Sequence, residues 1–508
     1  MQEQDSKIAR GAAVISGATF VSRVLGFVRD LVLAFALGAG PMADAFFVAF
    51  RIPNLLRRLF AEGSLTMAFV PVFTETRQKQ GEAEAFALAR STLVWLLLIL
   101  GGLSLLALAG AVPLTMLIAP GFVQDQEIFQ LTTDLVRICF PYILFISGMA
   151  LCMGVLNSLQ HFLVPALAPA LLNVVLILAA LLGLALGWTL PYVLAWGVLA
   201  AGLAQFLFQQ PFLSRQGFVW RGPWSWRHPG VGRIGQLMLP TVLGAAVYQI
   251  NILVNTMLAS LLAQGSISYL YYADRLVQFP LGVFGVALST AALPSLSGLA
   301  SAGRDQEFTQ TLNMTLGLNL FISLPAAAGL IGLGVPLVDT LFGRGAFGQL
   351  AVSSTAWALA GYSLGLPAFS CVRSLVSAFY ALQDTKTPVL VASLCLFLNI
   401  GLALILMQYL AHTGLALAVA LSSWANILLL GYFLGRKKGA WFAWQGKIWS
   451  MAGLSLVLGL GCFLSSNWGW LSLLLIPLWA GAYFLLALAL GVPEAGILKR
   501  NLLKTKPS

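Results

Sequence analysis

The chain has 508 residues, of which 59% are hydrophobic and only 9% charged, with a mean hydropathy of +0.90 and a formal net charge of +11. That composition excludes a secreted globule, a cytosolic enzyme and a single-anchor receptor, and leaves an all-α polytopic membrane protein. An outer-membrane barrel is excluded as well, because its strands alternate apolar and polar residues and never give long apolar runs.

The first ten residues carry Glu3, Asp5, Lys7 and Arg10 and lack a short apolar core before a small-residue cleavage site. No removable signal peptide is read there, and the amino terminus is expected to be retained. Turn residues and charge clusters then mark fourteen apolar segments, centred near residues 24, 56, 100, 145, 177, 203, 248, 284, 320, 365, 398, 423, 456 and 481. The 77 residues from Ile138 to Ser214 and the 49 from Thr387 to Gly435 hold no Asp, Glu, Lys or Arg. Each spanning helix needs ~20 apolar residues, so the first run holds three spans and the second two. With the amino terminus inside, nineteen basic residues fall on the cytoplasmic side, Arg90 among them, against Arg344 alone outside. That bias puts both termini in the cytoplasm. The net charge is then a topology signal that favours anionic inner-leaflet lipids, and nucleic acid is not an expected partner.

The chain also repeats. At an offset of 224, Ala49, Arg51, Phe60, Thr66 and Ala68 coincide with Ala273, Arg275, Phe284, Thr290 and Ala292; at 223, Leu159, Gln160 and Pro165 coincide with Leu382, Gln383 and Pro388. The offset spans six segments, an even number, so both copies would cross in the same sense, related by an axis along the bilayer normal. The expected layout is two pseudo-symmetric six-helix lobes, residues 1–217 and 218–440, around a central cavity. Residues 441–508 add two further helices and a basic cytoplasmic tail.

Eight arginines fall inside the segments: Arg23, Arg29, Arg51, Arg57, Arg58, Arg137, Arg275 and Arg373, whereas all nine lysines lie in loops or at the ends. A charge at mid-bilayer costs at least ~2.5 kcal/mol, so such residues face a wet cavity or a partner. On the second segment Asp44, Arg51, Arg58 and Glu62 are spaced 7, 7 and 4 apart, within roughly 40° on a regular helix, and so form one polar stripe. Arg57 points elsewhere, and Pro53 is placed to kink the helix. On the first segment Asp30 follows Arg23 by seven residues on nearly the same face, with Arg29 about 120° away. The eighth segment adds Asp274 and Arg275. Six clustered arginines against Asp30, Asp44, Glu62 and Asp274 leave two surplus positive charges, and such a site wants an anion. Arginine's planar fork grips two phosphate oxygens and stays ionised, which suits a diphosphate. Asp44 and Glu62 read alternatively as gate latches, and Arg137 and Arg373, outside the cluster, as structural.

Other chemistry is thin. No G-x-x-x-x-G-K-[ST] occurs, His161, His228 and His412 lack metal-ligand spacing, and the five cysteines are scattered through apolar stretches. No cofactor, metal site or enzymatic activity is expected.

The stretches Ser22–Asp30, Asp44–Gly63, Ala68–Pro71, Phe140–Tyr142, Pro165–Asn173, Tyr271–Leu276 and Phe379–Pro388 closely resemble the MurJ (MviN) lipid II flippases of bacteria. The resemblance implies the fold of the multidrug/oligosaccharidyl-lipid/polysaccharide exporter superfamily, working by alternating access in the bacterial inner membrane. It implies lipid II, the undecaprenyl-diphosphate-linked peptidoglycan precursor, as cargo moved from the cytoplasmic to the periplasmic leaflet. It also implies a monomer in contact with cell-wall synthesis or division proteins. The family's essential arginines match Arg23, Arg29, Arg57 and Arg275, its binding or gating acids match Asp30, Asp44 and Glu62, and its last two helices hold the polyprenyl tail. One departure concerns sodium-coupled members, which carry acidic ligands where this chain has no Asp or Glu from Gly230 to Gly265 or from Thr387 to Gly435. Membrane potential is the alternative drive. The residues alone leave open a flippase for another lipid-linked oligosaccharide and a multidrug/cation antiporter of the same fold.

Overall fold

The matched pairs Leu159-Gln160 and Leu382-Gln383 are helix stops. Each glutamine takes a left-handed conformation, φ +62° and +57°, and the chain closes on the preceding turn through His161 N to Leu156 O and Asp384 N to Phe379 O, both 2.9 Å. This bonding satisfies carbonyls left over at a helix end. The computed structural model describes residues 2–61, 64–439 and 447–504, and among them every regular element is helical.

Contacts divide the chain into two units, Met1–Gly265 and Ser266–Ser508. The first contains α1 (Gln2–Leu37), α2 (Pro41–Leu56), α3 (Ser64–Gln80), α4 (Glu82–Ala109), α5 (Ala111–Ile118), α6 (Gln126–Cys139), α7 (Tyr142–Ser158), α8 (Leu163–Leu186), α9 (Leu190–Arg215) and α10 (Pro229–Ser260). Here α1 packs on α8, α8 and α7 on α9, α2 on α6, and α3 on α7 and α10. α10 bends by 54° between Pro229–Val242 and Ala246–Ser260, just beyond Pro240.

The second unit contains α11 (Ser266–Pro280), α12 (Val286–Ser301), α13 (Asp305–Gly332), α14 (Gly334–Phe342), α15 (Gln349–Ser363), α16 (Leu366–Ala381), α17 (Lys386–Lys438), α18 (Lys447–Ser465), α19 (Ile476–Ala489) and α20 (Pro493–Lys504). α12 and α13 pack on α16, α15 on α11 and α17, and α18 on α13. The 53 residues of α17 are interrupted at Ala411, φ +47° and ψ −130°, a sparsely populated conformation that costs a non-glycine residue ~1–3 kcal/mol.

Several elements recur at the offset read from the sequence. α4 and α13 are both 28 residues long and start 223 residues apart. The π-helical turn Arg57–Ala61 that continues α2 returns as Leu281–Gly285 after α11, at an offset of 224. α10 ends 223 residues after α1, so by register it is the copy of α1, although its contacts group it with the first unit.

Among the described residues, eight helical stretches are long and apolar enough to cross a membrane, or ten if each of two bent pairs counts as one span. Two of the eight, Lys386–Lys438 and Ile448–Ala489, have 53 and 42 residues. Straight helices of these lengths would run about 80 and 63 Å, more than twice the ~30 Å hydrocarbon thickness. The first is broken at Ala411 and the second at Gly469, φ +59°.

Asp384 ties a helix stop to the next start. Its carboxylate accepts from Lys386 N (3.1 Å), Thr387 N (3.0 Å) and Thr387 Oγ1 (2.6 Å), and pairs with Lys437. Burial raises its pKa, but the bonds from Lys437 and Thr387 outweigh burial and hold the group at about 2. Because the folded value lies below the ordinary one, the stability Asp384 contributes is whole above about pH 4 and is lost as pH falls toward 2. Asp384→Asn is expected to cost about 1 kcal/mol at neutral pH, because the amide keeps an oxygen for the backbone N–H groups but loses the charge pair with Lys437. Thermal unfolding of both proteins in detergent should show the difference shrinking below about pH 4.

Candidate functional site

A long cation on an apolar helix has to be held, and on α1 the holders are specific. Arg29 Nε and Nη2 donate to Asp30 Oδ1 at 3.0 and 2.7 Å, and Arg29 Nη1 donates to Asn173 Oδ1 of α8 at 3.0 Å. Asn173 Nδ2 in turn donates to Ser22 O at 3.1 Å, which ties the amide back to α1. The Arg29 and Asp30 side chains are 11% and 3% exposed. At that burial a charge requires a partner in good geometry. Helical spacing groups Asp30 with Arg23, yet the structure pairs Asp30 with its neighbour Arg29. Seven residues of helix rise about 10 Å, whereas a guanidinium stem can fold back over one residue. Arg23 is exposed.

On α2, buried Asp44 accepts from Gly265 N through Oδ2 at 2.6 Å. Gly265 sits at φ +93°, a conformation glycine adopts readily. Arg57 Nε and Nη2 both donate to Asn54 Oδ1, at 3.0 and 2.9 Å. Arg51 and Arg58 are half-buried. The polar stripe expected from the 7, 7 and 4 spacing assumed regular α winding. The turn Arg57–Ala61 is π-helical, with i→i+5 bonding that winds less per residue, so the regular spacing holds as far as Leu56 and changes from Arg57 on. Glu62, the fourth member of that stripe, lies outside the described residues.

In the second unit, Arg275 on α11 lies with Cζ 4.7 Å from the centroid of the Tyr271 ring, and its Nη2 is 3.4 Å from Tyr271 Oη. Half-buried Asp274 accepts from Gln278 Nε2 at 3.4 Å. The neighbours thus engage different partners. Arg137 is exposed and pairs with Asp134 at 3.1 Å, and Arg373 is exposed on α16.

Four residues that hold these charges were not singled out from the sequence. Asn54 and Tyr271 lie one turn before the arginines they contact, at i,i+3 and i,i+4, so helical spacing could have marked them. Asn173 is a polar residue in the longest charge-free run, itself a signal. Gly265 offered none, since its role is a backbone N–H. No group of three or more His, Cys, Asp or Glu positioned to hold a metal occurs among the described residues, and the five cysteines are buried and free.

Comparison with known proteins adds the following. Residues 33–490 match the family model described as lipid II flippase MurJ. The chain is 39% identical over 424 residues to the probable lipid II flippase MurJ of Buchnera aphidicola, covering 84% of this chain and 83% of that protein. It is 39% identical over 481 residues to the lipid II flippase MurJ of Burkholderia cenocepacia, covering 92% of each. Among solved structures, a lipid II flippase MurJ in an inward closed conformation superposes with a TM-score of 0.80 at 27% identity, over 97% of this chain and 100% of that one. An inward-facing MATE family transporter of the MOP superfamily gives 0.67 at 14% identity, over 87% and 98%, which is a likeness of fold alone.

Proposed function

The chain belongs to the lipid II flippase MurJ family, and on that premise we propose that it moves lipid II from the cytoplasmic to the periplasmic leaflet by alternating access. It is a transporter and not a catalyst. The observation that carries the reading is Arg29, a cation on a helix within a highly apolar chain, fixed by Asp30 on its own helix and by Asn173 on another. Holding a guanidinium in one orientation there is costly, and meeting an anion gives that cost a purpose. Arg57 is oriented by the Asn54 amide and Arg275 lies against the Tyr271 ring, so each guanidinium has a fixed direction. With Arg23, Arg51 and Arg58 they form the diphosphate-binding set, whose forks suit paired phosphate oxygens. Asp30, Asp44, Glu62 and Asp274 pair or gate. Asp44 is the clearest latch, because its bond to Gly265 N crosses from α2 to the end of the α10–α11 connection.

The same reading gives fourteen spans: the breaks at Ala411 and Gly469 divide two long stretches, and each of the fourteen expected centres lies in or beside a helix of the described chain. Two six-helix lobes, 1–217 and 218–440, with the cavity expected from the sequence, follow from the duplication, and residues 441–508 lie outside it. Both termini are cytoplasmic on the charge bias. The protein works as a monomer in the bacterial inner membrane, driven by the membrane potential at ~2.3 kcal/mol per charge per 100 mV. A cation antiporter of the same fold requires a net acidic site, and these residues are net basic.

Binding to the purified protein tests the proposal. An undecaprenyl diphospho-sugar should outcompete a hydrophobic cation, and Arg275→Ala should weaken its binding about 10- to 100-fold, the loss of one or two charge-assisted hydrogen bonds. Tight cation binding with no response to the diphosphate would reverse the conclusion.

A further inference from the structure

The connection from α9 to α10 is built in a way that transport does not explain. It reads Phe218-Val-Trp-Arg-Gly-Pro-Trp-Ser-Trp-Arg-His228, with no acidic residue between Asp134 and Asp274. All of residues 221–227 are exposed, Trp224 by 43% and Trp226 by 55%. An exposed loop with two indoles is normally mobile, but this one is pinned along α4. Buried Arg90 donates from Nε to Pro223 O at 2.8 Å and from Nη1 to Val219 O at 3.0 Å, and Gly222 allows the close approach. Ser91 Oγ accepts from Ser225 N at 2.9 Å, and Trp95 Nε1 donates to Trp226 O at 3.1 Å. The rings of Trp95, Trp226 and Trp224 meet edge to face, with centroids 6.2 and 4.8 Å apart. Arg90, counted from the sequence among loop charges, is therefore an internal clamp.

The anchoring points fix the level of this surface. Along α4 the charged residues Glu82, Glu84 and Arg90 come first, and none follows before Asp125. Ser91 and Trp95 thus stand at the start of the apolar stretch, about 6 Å apart along the axis. One turn beyond Trp95, on the same face, Leu98 and Ile99 are exposed by 48% and 60%, as a lipid-facing surface would be. Indoles at that level and arginines beside them match the two chemistries of a membrane–water interface.

We propose that residues 219–227 form a pre-organised anchor on anionic phospholipids of the cytoplasmic leaflet. Trp95, Trp224 and Trp226 seat at the glycerol level, and Arg221 and Arg227 bind headgroup phosphates. The leaflet rests on the orientation given above; the anchor itself does not depend on which cargo is moved. It would tether the connection between the two copies to one bilayer surface.

The test places a bimane label on Ser225→Cys, the five native cysteines being buried, and reconstitutes the protein in phosphatidylcholine vesicles. Phosphatidylglycerol brominated near the top of its chains should quench the label at about tenfold lower mole fraction than brominated phosphatidylcholine, about 1 kcal/mol for each of two arginines less competition from other sites. Iodide should be excluded. Arg221→Gln with Arg227→Gln should bring the two lipids level while iodide stays excluded, and Trp224→Ala with Trp226→Ala should admit iodide. A label open to iodide in the unsubstituted loop, as when the loop serves a soluble partner, overturns the anchor, and so does equal quenching by the two lipids. Reaction of Ser225→Cys with an impermeant maleimide in intact cells would instead overturn the cytoplasmic orientation, a failure distinct from both.

Discussion

Arg29→Ala is expected to abolish lipid II translocation and, separately, to lower stability by about 3 to 5 kcal/mol. The second effect arises because Asp30, 3% exposed, would lose the guanidinium that holds it at 2.7 Å. The two effects can be pulled apart. Arg29→Gln combined with Asp30→Asn removes both charges and leaves amides that can bond each other and Asn173, so most of the stability should return. Translocation should not return, because an amide cannot replace a fork that grips phosphate. Arg29→Lys should retain some activity, one point charge standing in for a planar pair of donors. Thermal unfolding in detergent reports the first quantity; translocation in cells depleted of any other flippase reports the second. A double variant that folds and still translocates at the normal rate would remove Arg29 from the mechanism.

Gly121→Val is expected to destabilise the first unit by about 2 to 4 kcal/mol without touching any charge. Gly121 lies in the short 3-10 turn Pro120–Gln124 after α5, where a β-carbon would stand 1.9 Å from Ser260 O and 2.8 Å from Leu261 Cα. The backbones of the turn and of the α10 end must separate, and the bond from Gly121 N to Ser260 Oγ, 3.2 Å, goes with them. A lower midpoint of thermal unfolding should be accompanied by trypsin cleavage at Arg233, on the now loosened α10. An unchanged midpoint would show that the approach is not tight in solution.

Much of the architecture was legible because it follows from composition. Long charge-free runs have to be helices in a bilayer, and the offset between Leu159-Gln160 and Leu382-Gln383 betrayed the repeat, since a left-handed helix stop restricts which residues fit. The candidate arginines were legible for the same reason, as charge is expensive on an apolar helix. Their partners were less so. A helical wheel groups Asp30 with Arg23, yet a folded-back side chain gives Asp30 to Arg29, and nothing in the spacing announces the π-helical turn that begins at Arg57. Arg90 looked like an ordinary loop charge because its ligands are carbonyls 129 and 133 residues away, and a carbonyl leaves no trace in sequence.

The wider turn that follows α2 and its counterpart after α11 occupy the same register, although one bears Arg57 and Arg58 and the other Leu281–Gly285, with no charge at all. Duplication therefore kept the backbone irregularity while the side chains on it were exchanged. Such a turn holds one residue more than regular winding needs. Were that residue absorbed, everything beyond it would swivel by about 100° without a single unfolded segment. Both copies carry the turn, and only one carries arginines on it.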